Sequence, residues 1–530
     1  MKKHLISLFI IFLALPVVTH ANTFYYNITQ EQTVQEIQTD LQALIYSAID
    51  NDTVIVTGSK TDANTTLMLR IYEGTTVVWN AHYQSGISAV ANALIAFEDK
   101  GTLEIRGTLI STNMPAIVAT DTKSTIVVSG TGKVQSFGNT MRAISTYGDV
   151  EIKDNAQVSG TVEEIIATHG PSSVITMSGG EVSAIDGNAF VAYGSLAKIS
   201  ISGGYVSNNA TDLYPTVVAP TGSGGVSIYV SGTGKVEAKG HGSAIISTGS
   251  VWLSENAQVS TTLGGGNMET AAIKADWNVV VGGNAKVSAL NNYAIWGYQY
   301  IRISNNGIVE AKGDAIAIYI DIAGGGMNKL VAMEDKAQVI AAHNYAISHQ
   351  PMADFILRFK GGMMFGYGNA ISDVINHSSF TAPTDSGVVI VWNKEAGHTN
   401  YEMFSTDDIL KFPESATAYW DKKGGQSGIS YAKSQNTGFI PLDVTVLSVQ
   451  ESCLPNLKLY PNPTTGELKI ENGEWRIENV EVFDVYGRNV GANLRVCPHT
   501  AIDMLELPTG VYFVKITTNA GETIKKVVKR

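Results

Sequence analysis

Short runs of alternating apolar and polar residues fill most of the chain between about residues 100 and 380. Such alternation predicts short β-strands, and the Gly, Asn, Ser and Asp residues between the runs predict turns. One run is anchored on a valine that recurs every 22 to 30 residues. The anchoring residues are Val134, Val158, Val182, Val206, Val236, Val259, Val287, Val309 and Val339.

Two further elements keep step with the valine run. The first is a small or apolar residue followed by Ile or Phe, in Ala143–Ser145, Ile165–Ala167, Ala189–Val191, Ala244–Ile246, Ala294–Trp296, Ala315–Ala317, Ala346–Ser348 and Ala370–Ser372. The second is an alternating strand, as in Val150–Ile152, Ile199–Ile201, Val251–Leu253 and Ile301–Ile303. Each unit therefore holds three short strands, which is one coil of a parallel β-helix.

We therefore predict an all-β chain with about ten coils between Leu103 and Ile371, stacked at about 4.8 Å per coil. We expect the β-helix to be right-handed, although the repeats themselves do not determine its hand. The alternatives are an array of β-sandwiches and a propeller. A propeller blade needs roughly 40 residues, so the shorter period argues against it.

An open column exposes unpaired strand edges at both ends, so we expect caps. Apolar residues at 34, 37, 41, 44, 45 and 48 form a helical stripe, which we interpret as the N-terminal cap. We assign 22–100 to this cap and the first coils, 101–380 to the repeats and 381–449 to a C-terminal capping module. Aromatic residues gather in that module, either as its core or as a platform for sugar stacking.

The N-terminus reads as a secretory signal peptide over 1–21, with Lys2 and Lys3 before an apolar run and Ala21 at the expected cleavage point. The formal net charge is −12, which argues against nucleic acid as a partner. The two cysteines, Cys453 and Cys497, could pair in an oxidising compartment or remain free thiols.

The last residues, 450–530, form a separate module with its own ordered motifs. Tyr460-Pro461-Asn462-Pro463 leads through Gly466 into a predicted strand, and short alternating runs then predict a small antiparallel β-sandwich of Ig-like form. The motif residues are Tyr460, Pro461, Asn462, Pro463, Gly466, Asp484, Gly487, Arg488, Leu507, Gly510, Tyr512, Lys525 and Lys526. In this order they resemble the type A C-terminal sorting domain of the type IX secretion (Por secretion) system.

That resemblance implies an export route and the partners that serve it. The type IX translocon would recognise the domain, and its sortase would remove it in the linker near Val449 to Leu454. The protein would pass through the periplasm, and it would then be released or joined to anionic lipopolysaccharide on the extracellular face of the outer membrane.

Catalytic candidates are few. Enzymes built on parallel β-helices need carboxylates close together on one face, often with an Arg or Lys. The acids here drift between strand and turn, and the best group is Asp314 and Asp321 with Arg302 one coil earlier. The histidines, including His169 and His241, lack metal-ligand spacing and read as surface residues. We predict no metal site and no cofactor.

Two functions remain for the column. The first is a non-enzymatic, adhesin-like or glycan-binding surface protein, indicated by regular coils without a catalytic cluster. The second is a polysaccharide lyase or glycoside hydrolase with a cleft along one face. A cluster of carboxylates and arginine on adjacent coils would favour the second function.

Overall fold

The structure is a computed structural model, and it divides into two compact units. The described residues up to 433 belong to the first unit, and those from 458 onward belong to the second. The structure describes residues 21–48, 51–86, 92–138, 142–220, 225–263, 270–313, 315–321, 329–341, 344–350, 355–360, 362–367, 375, 388–392, 429–433, 458–471, 477–484, 490, 501–505, 507–518 and 521–530.

The first unit is a parallel β-solenoid, which confirms the predicted fold class. Each coil contributes one strand to each of three parallel sheets, named A, B and C in the order in which the chain visits them. Sheet A contains the predicted alternating strands. Its strands are Thr23–Ile28, the first half of Thr53–Ala63, Thr76–Trp79, Thr102–Ile105, Thr125–Val128, Asp149–Ile152, Val174–Met177, Lys198–Ile201, Ser227–Val230, Val251–Leu253, Asn278–Val281, Tyr300–Ile303, Lys329–Met333 and Phe355–Phe359.

Sheet B carries the anchoring valines. All nine pair with one another in register, from Val134 beside Val158 to Val309 beside Val339, and all nine are buried. Its strands are the second half of Thr53–Ala63, His82–Ser85, Thr108–Thr112, Lys133–Phe137, Gln157–Gly160, Glu181–Ala184, Tyr205–Asn208, Lys235–Ala238, Gln258–Thr261, Lys286–Ala289, Ile308–Ala311, Gln338–Ala341, Met363–Tyr367, Val388–Trp392 and, antiparallel at the end, Ile429–Lys433.

Sheet C contains the Ala-Ile element, with two errors in the predicted alignment. The partner of Ile347 is Ile375, four residues beyond Ile371 of the predicted unit Ala370–Ser372. Ile295 pairs with Ile318, so the unit is Ala317–Tyr319 and not Ala315–Ala317. A shift of two residues keeps the inward and outward alternation, so the apolar pattern could not detect it. The strands are Leu67–Arg70, Ile95–Glu98, Ile117–Ala119, Arg142–Thr146, Glu164–Thr168, Asn188–Ala192, Val217–Ala219, Ile245–Ser247, Ala271–Ala275, Tyr293–Gly297, Ile318–Ile320 and Ile347–His349.

Corners between sheets A and B share one backbone device. A residue with positive φ recurs there, for example Asp154 at 59°, Gly232 at 56° and Asn305 at 56°. Where this residue is Asp154, Asn305 or Asp335, its side chain also accepts a hydrogen bond from the corner of the preceding coil. Asp154 Oδ2 accepts from the Gly130 amide at 2.9 Å. Asn and Asp tolerate this conformation, so the polar turns of the sequence set the corners.

The helix Val34–Ser47 covers the start of the solenoid. Thr33 and Glu36 form a capping box at its N-terminus. Five of the six apolar positions of the predicted stripe are buried and Leu44 is half-buried. The helix lies beside Leu67–Arg70, the first strand of sheet C, so it occupies the place where a further strand could otherwise pair.

The second unit is a small antiparallel β-sandwich. One sheet contains Lys458–Tyr460, Glu467–Glu471 and Ala501–Asp503, and the other contains Ile477–Asp484, Gly510–Thr518 and Gly521–Lys529. Leu468 and Ile502 from the first sheet share a buried core with Val482 and Val514 from the second. Residues 1–20 of the predicted signal peptide, both cysteines and most of 381–449 lie outside the described residues.

Candidate functional site

The outward face of sheet C carries two clusters of aromatic and charged side chains. A buried ladder of Ile, Val and Phe side chains faces the core, and the residue after each ladder position faces outward. These outward residues stack in register and are called here the sheet C strip. They are Ser145, Ala167, Val191, Val218, Ile246, Lys274, Trp296 and Tyr319.

One cluster lies at the N-terminal end of the strip, on three successive coils. Arg142 and Glu164 are cross-strand partners, and Arg142 Nε lies 2.6 Å from Glu164 Oε2. The Tyr193 hydroxyl donates a hydrogen bond to the other carboxylate oxygen, Oε1. His169 stacks on Tyr193 with ring centroids 5.0 Å apart, and Tyr147 lies 5.6 Å from His169 on the other side. These five residues are the Glu164 cluster.

The Glu164 cluster is partly removed from solvent. Glu164 is only 6% exposed, whereas Tyr147 and Tyr193 are 48% and 39% exposed. Burial opposes the charge of Arg142, but the hydrogen bond and charge of Glu164 outweigh it and raise the pKa of Arg142. Partial burial and the charge of Arg142 lower the pKa of His169. At neutral pH the cluster therefore presents an ion pair, a protonated phenol and a neutral imidazole.

His169 corrects the expectation of a surface residue. Its side chain is half-buried between two tyrosines, and its Nε2 atom is buried without a partner among the described residues. The Nδ1 atom of His241 is also buried, and it has no hydrogen-bond partner among the described residues. The turn position of each histidine did not reveal that neighbouring coils cover its ring.

A second cluster lies further along the same face. Tyr293 stacks on Tyr319 with ring centroids 4.8 Å apart, and Trp296 meets both rings edge-on at 5.4 Å. Lys274 Nζ lies 4.0 Å from the centre of the Trp296 ring system. The Trp296 indole N–H donates to Asp321 Oδ2 at 3.0 Å. These five residues are the Trp296 cluster.

The Trp296 cluster joins aromatic rings to both signs of charge. Tyr298 lies beside it, where burial and then the charges of Asp321 and Asp276 raise its pKa to about 12. Tyr298 therefore stays protonated, and so a hydrogen-bond donor, at neutral pH. Aromatic faces, a phenol, a carboxylate and an ammonium together can bind the apolar and hydroxyl surfaces of a sugar.

The two clusters lie on one face at a fixed spacing. Four strands of sheet C separate Glu164–Thr168 from Tyr293–Gly297. At the normal distance between strands, the centres of the clusters are about 24 Å apart. Between them the strip is aliphatic, with Val218 and Ile246 half-buried and Val191 buried. The face can therefore accommodate an extended chain that contacts polar groups at both ends.

The structure separates the catalytic residues suggested by the sequence. Arg302 lies on sheet A, where its guanidinium pairs with Glu334 at 2.6 Å. Asp321 follows the sheet C strand Ile318–Ile320 and belongs to the Trp296 cluster. Asp314 lies outside the described residues. On sheet C, an arginine and a buried carboxylate from adjacent coils meet at Arg142 and Glu164.

The sequence contains a signal for these missed residues. Arg142 and Glu164 each precede the repeated Ala-Ile element, so alignment of those elements places them side by side. The sequence analysis missed the Trp296 cluster for two reasons. The predicted unit at Ala315 was two residues out of register, and the unit Ala272–Lys274 was not recognised. Correct register puts Lys274 and Tyr319 on either side of Trp296.

Two further features concern the parts of the chain that the structure describes. No group of three or more His, Cys, Asp or Glu side chains there is placed to hold a metal ion. No helix in those parts is both long and apolar enough to cross a bilayer.

The motif residues of the C-terminal module have structural roles in its sandwich. The Asn462 side chain donates to the Lys526 carbonyl at 2.7 Å and accepts from the Val528 amide at 2.9 Å. It therefore holds the opening segment against the last strand. The Tyr512 hydroxyl donates to the Pro508 carbonyl at 2.7 Å.

The remaining motif residues differ in their surroundings. A Cβ atom at Gly466 would lie 2.6 Å from the Leu505 side chain, so this position has no room for one. Asp484 is the cross-strand partner of Tyr512, and Lys525 and Lys526 lie on the last strand. Tyr460, Pro461 and Pro463 are exposed, and Leu507 and Gly510 are half-buried. Gly487 and Arg488 lie outside the described residues.

Comparison with protein families identifies this module. Residues 458–530 match the family described as the secretion system C-terminal sorting domain. Comparisons with curated proteins and with solved structures gave no match. The sorting domain implies interaction with the type IX secretion machinery, and so secretion to the cell surface or beyond. The chain is thus a parallel β-solenoid that carries a type IX secretion C-terminal sorting domain.

Proposed function

We propose that the exported solenoid is a glycan-binding surface protein that binds an extended polysaccharide chain along the sheet C strip. The observation that carries this proposal is the pair of aromatic clusters on one face, about 24 Å apart. Each cluster combines tyrosine or tryptophan rings with a carboxylate and a cation. Between the clusters, the half-buried side chains of Val218 and Ile246 add apolar surface for sugar rings.

A polysaccharide-degrading activity is the second candidate. Arg142, Glu164 and Tyr193 on adjacent coils are the kind of group that such an activity needs. However, both carboxylate oxygens of Glu164 already accept strong hydrogen bonds, and the side chain is almost fully buried. A carboxylate in that state is poorly placed to exchange a proton with a substrate. Binding is therefore the better supported function.

The proposal also covers the fate of the sorting domain. We propose that the sortase removes it in the linker near Val449 to Leu454, after passage across the outer membrane. The solenoid would then be released or joined to anionic lipopolysaccharide. Either outcome leaves the sheet C strip exposed to polysaccharides outside the cell.

Binding and turnover are tested together. The exported protein is applied to a glycan array, and each bound polysaccharide is then assayed for new reducing ends and unsaturated uronates. Binding without product supports the proposal, and product release replaces it with the enzymatic function. Failure to bind any glycan contradicts both functions.

Substitutions on the strip locate the site. Tyr147→Ala and Tyr319→Ala each remove one aromatic face, which should weaken glycan binding by roughly 1 kcal/mol, or about five-fold. Tyr25→Ala is the matched control, because Tyr25 is 72% exposed and lies on sheet A. If Tyr25→Ala weakens binding as much as the strip variants do, the sheet C strip is not the site.

A further inference from the structure

An open groove of about 370 Å³ crosses sheet B, on a different face from the sheet C strip. Its floor lies on the neighbouring strands Gln258–Thr261 and Lys286–Ala289. Lys235 lines it from the preceding strand, and Lys312 lines it from the position after Ile308–Ala311. The floor is recessed because Ser260 and Ser288, which are cross-strand partners, have short side chains, whereas longer side chains lie on either side of them. The volume is in the range of ligand-binding clefts.

The charge of the groove contrasts with that of the chain. The whole chain carries a formal charge of −12, yet the described residues that line the groove include three lysines and no acid. The lysines are Lys235, Lys286 and Lys312. A cleft with one sign of charge concentrates ligands of the opposite sign.

Two glutamates flank the floor of the groove, since Glu237 is the cross-strand partner of Ser260 and Glu310 is that of Ser288. Glu310 pairs with Lys286 at 2.8 Å, and Glu237 pairs with Lys235 at 3.1 Å. The glutamate side chains are only 7% and 12% exposed, whereas the two lysines are about two-fifths exposed. The glutamate side chains are therefore more shielded from solvent than the lysine side chains that pair with them. Lys312 is exposed and makes no ion pair with a described carboxylate.

The remaining lining groups suit a sugar better than a bare ion. Gln258, Ser260 and Ser288 offer an amide and hydroxyls for hydrogen bonds, and Leu290 offers an apolar surface that is 38% exposed. Sugar rings present hydroxyls at their edges and C–H groups on their faces. Lysines bind carboxylates and sulfates as compact point charges.

We propose that this groove binds an anionic saccharide unit, which is a sugar that carries a carboxylate or a sulfate ester. The ammonium groups would bind the anion, the polar floor would bind ring hydroxyls, and Leu290 would contact the ring face. The groove is independent of the sheet C strip, because the two sites share no lining residue and lie on different sheets.

The test compares charged and neutral polymers on the full chain. Isothermal titration calorimetry measures binding of dextran sulfate, polygalacturonate, neutral dextran and inorganic sulfate. We expect at least one acidic polymer to bind and neutral dextran not to bind. Equal binding of neutral dextran, or no binding of either acidic polymer, overturns the proposal. If inorganic sulfate alone binds as tightly as the polymers, the groove is a simple anion site and the saccharide assignment is wrong.

Charge reversal then locates the anion. Lys312→Glu should lower affinity for the acidic polymer at least about five-fold, since it removes one attraction and adds one repulsion. Lys133→Glu is the matched control, because Lys133 is a half-buried lysine of sheet B outside the groove. Equal losses in both variants would show a general effect of net charge and would overturn the assignment. Unchanged thermal unfolding of both variants verifies the fold.

Discussion

At the residue scale, burial determines how much an Arg–Glu ion pair contributes to stability. Arg70 with Glu98 and Arg142 with Glu164 are both cross-strand partners in sheet C. The first pair is about half exposed and its atoms lie 3.4 Å apart, so water screens it. In the second pair the side chains are 24% and 9% exposed and the atoms lie 2.6 Å apart.

Removal of the arginine should separate the two cases. Arg142→Ala leaves the Glu164 carboxylate buried without its cation, which we expect to cost about 2–3 kcal/mol of unfolding free energy. Arg70→Ala leaves an exposed carboxylate and should cost less than about 0.5 kcal/mol. Urea unfolding followed by circular dichroism measures both values. Equal costs would contradict the role assigned to burial.

At the element scale, side chains of the helix Val34–Ser47 form hydrogen bonds with the backbone at the open edge of sheet C. Gln42 accepts from the Arg70 amide at 2.8 Å and donates to the Arg70 carbonyl at 3.1 Å. Gln38 accepts from the Met68 amide at 3.1 Å. The glutamines therefore take the place of the backbone of a neighbouring strand. An uncovered edge would be free to pair with another chain.

Loss of these glutamines should expose the edge while the helix remains. We expect Gln38→Ala with Gln42→Ala to cost roughly 1–2 kcal/mol and to promote association of the chain. Alanine keeps helix propensity high, so the helix itself is not weakened. Size-exclusion chromatography with light scattering measures association. Gln35→Ala, on the exposed face of the same helix, is the control and should remain unchanged. Association of the control to the same extent would show that the edge is not the cause.

At the scale of the whole molecule, the two compact units have different roles. The solenoid offers long, regular faces, since each coil places side chains of the next coil in register about 4.8 Å away. The C-terminal sandwich offers the address. Asn462 links the two ends of that sandwich, so its motif stabilises the domain as well as marking it.

Export should depend on the second unit. Truncation after Leu447 removes the sorting domain, and we expect the truncated chain to accumulate in the periplasm. Asn462→Ala keeps the domain but removes two hydrogen bonds to the last strand, which should cost about 2 kcal/mol and reduce the exported amount. Cell fractionation and immunoblotting measure both variants. Undiminished export of the truncated chain would show that 458–530 is not required.

The sequence by itself determined the solenoid and the address. Strict alternation around a repeated valine leaves one way to bury each short strand, which is to stack it on the next coil. All nine valines align for that reason, and the proline, asparagine and glycine motif of 458–530 identified the sorting domain. Polar corner residues predicted the turns, because Asn and Asp tolerate positive φ.

Only the tertiary structure decided which outward residues meet. A slip of two residues leaves the inward pattern unchanged, so the apolar repeat could not place Tyr319 beside Trp296. The grouping of Arg142, Glu164 and Tyr193 depends on side chains from three coils, separated by 22 and 29 residues. The groove on sheet B forms because the short side chains of Ser260 and Ser288 lie between longer side chains of neighbouring strands. Burial constrains the inner face of every strand, whereas neighbours in space constrain the outer face, and the chain alone does not reveal those neighbours.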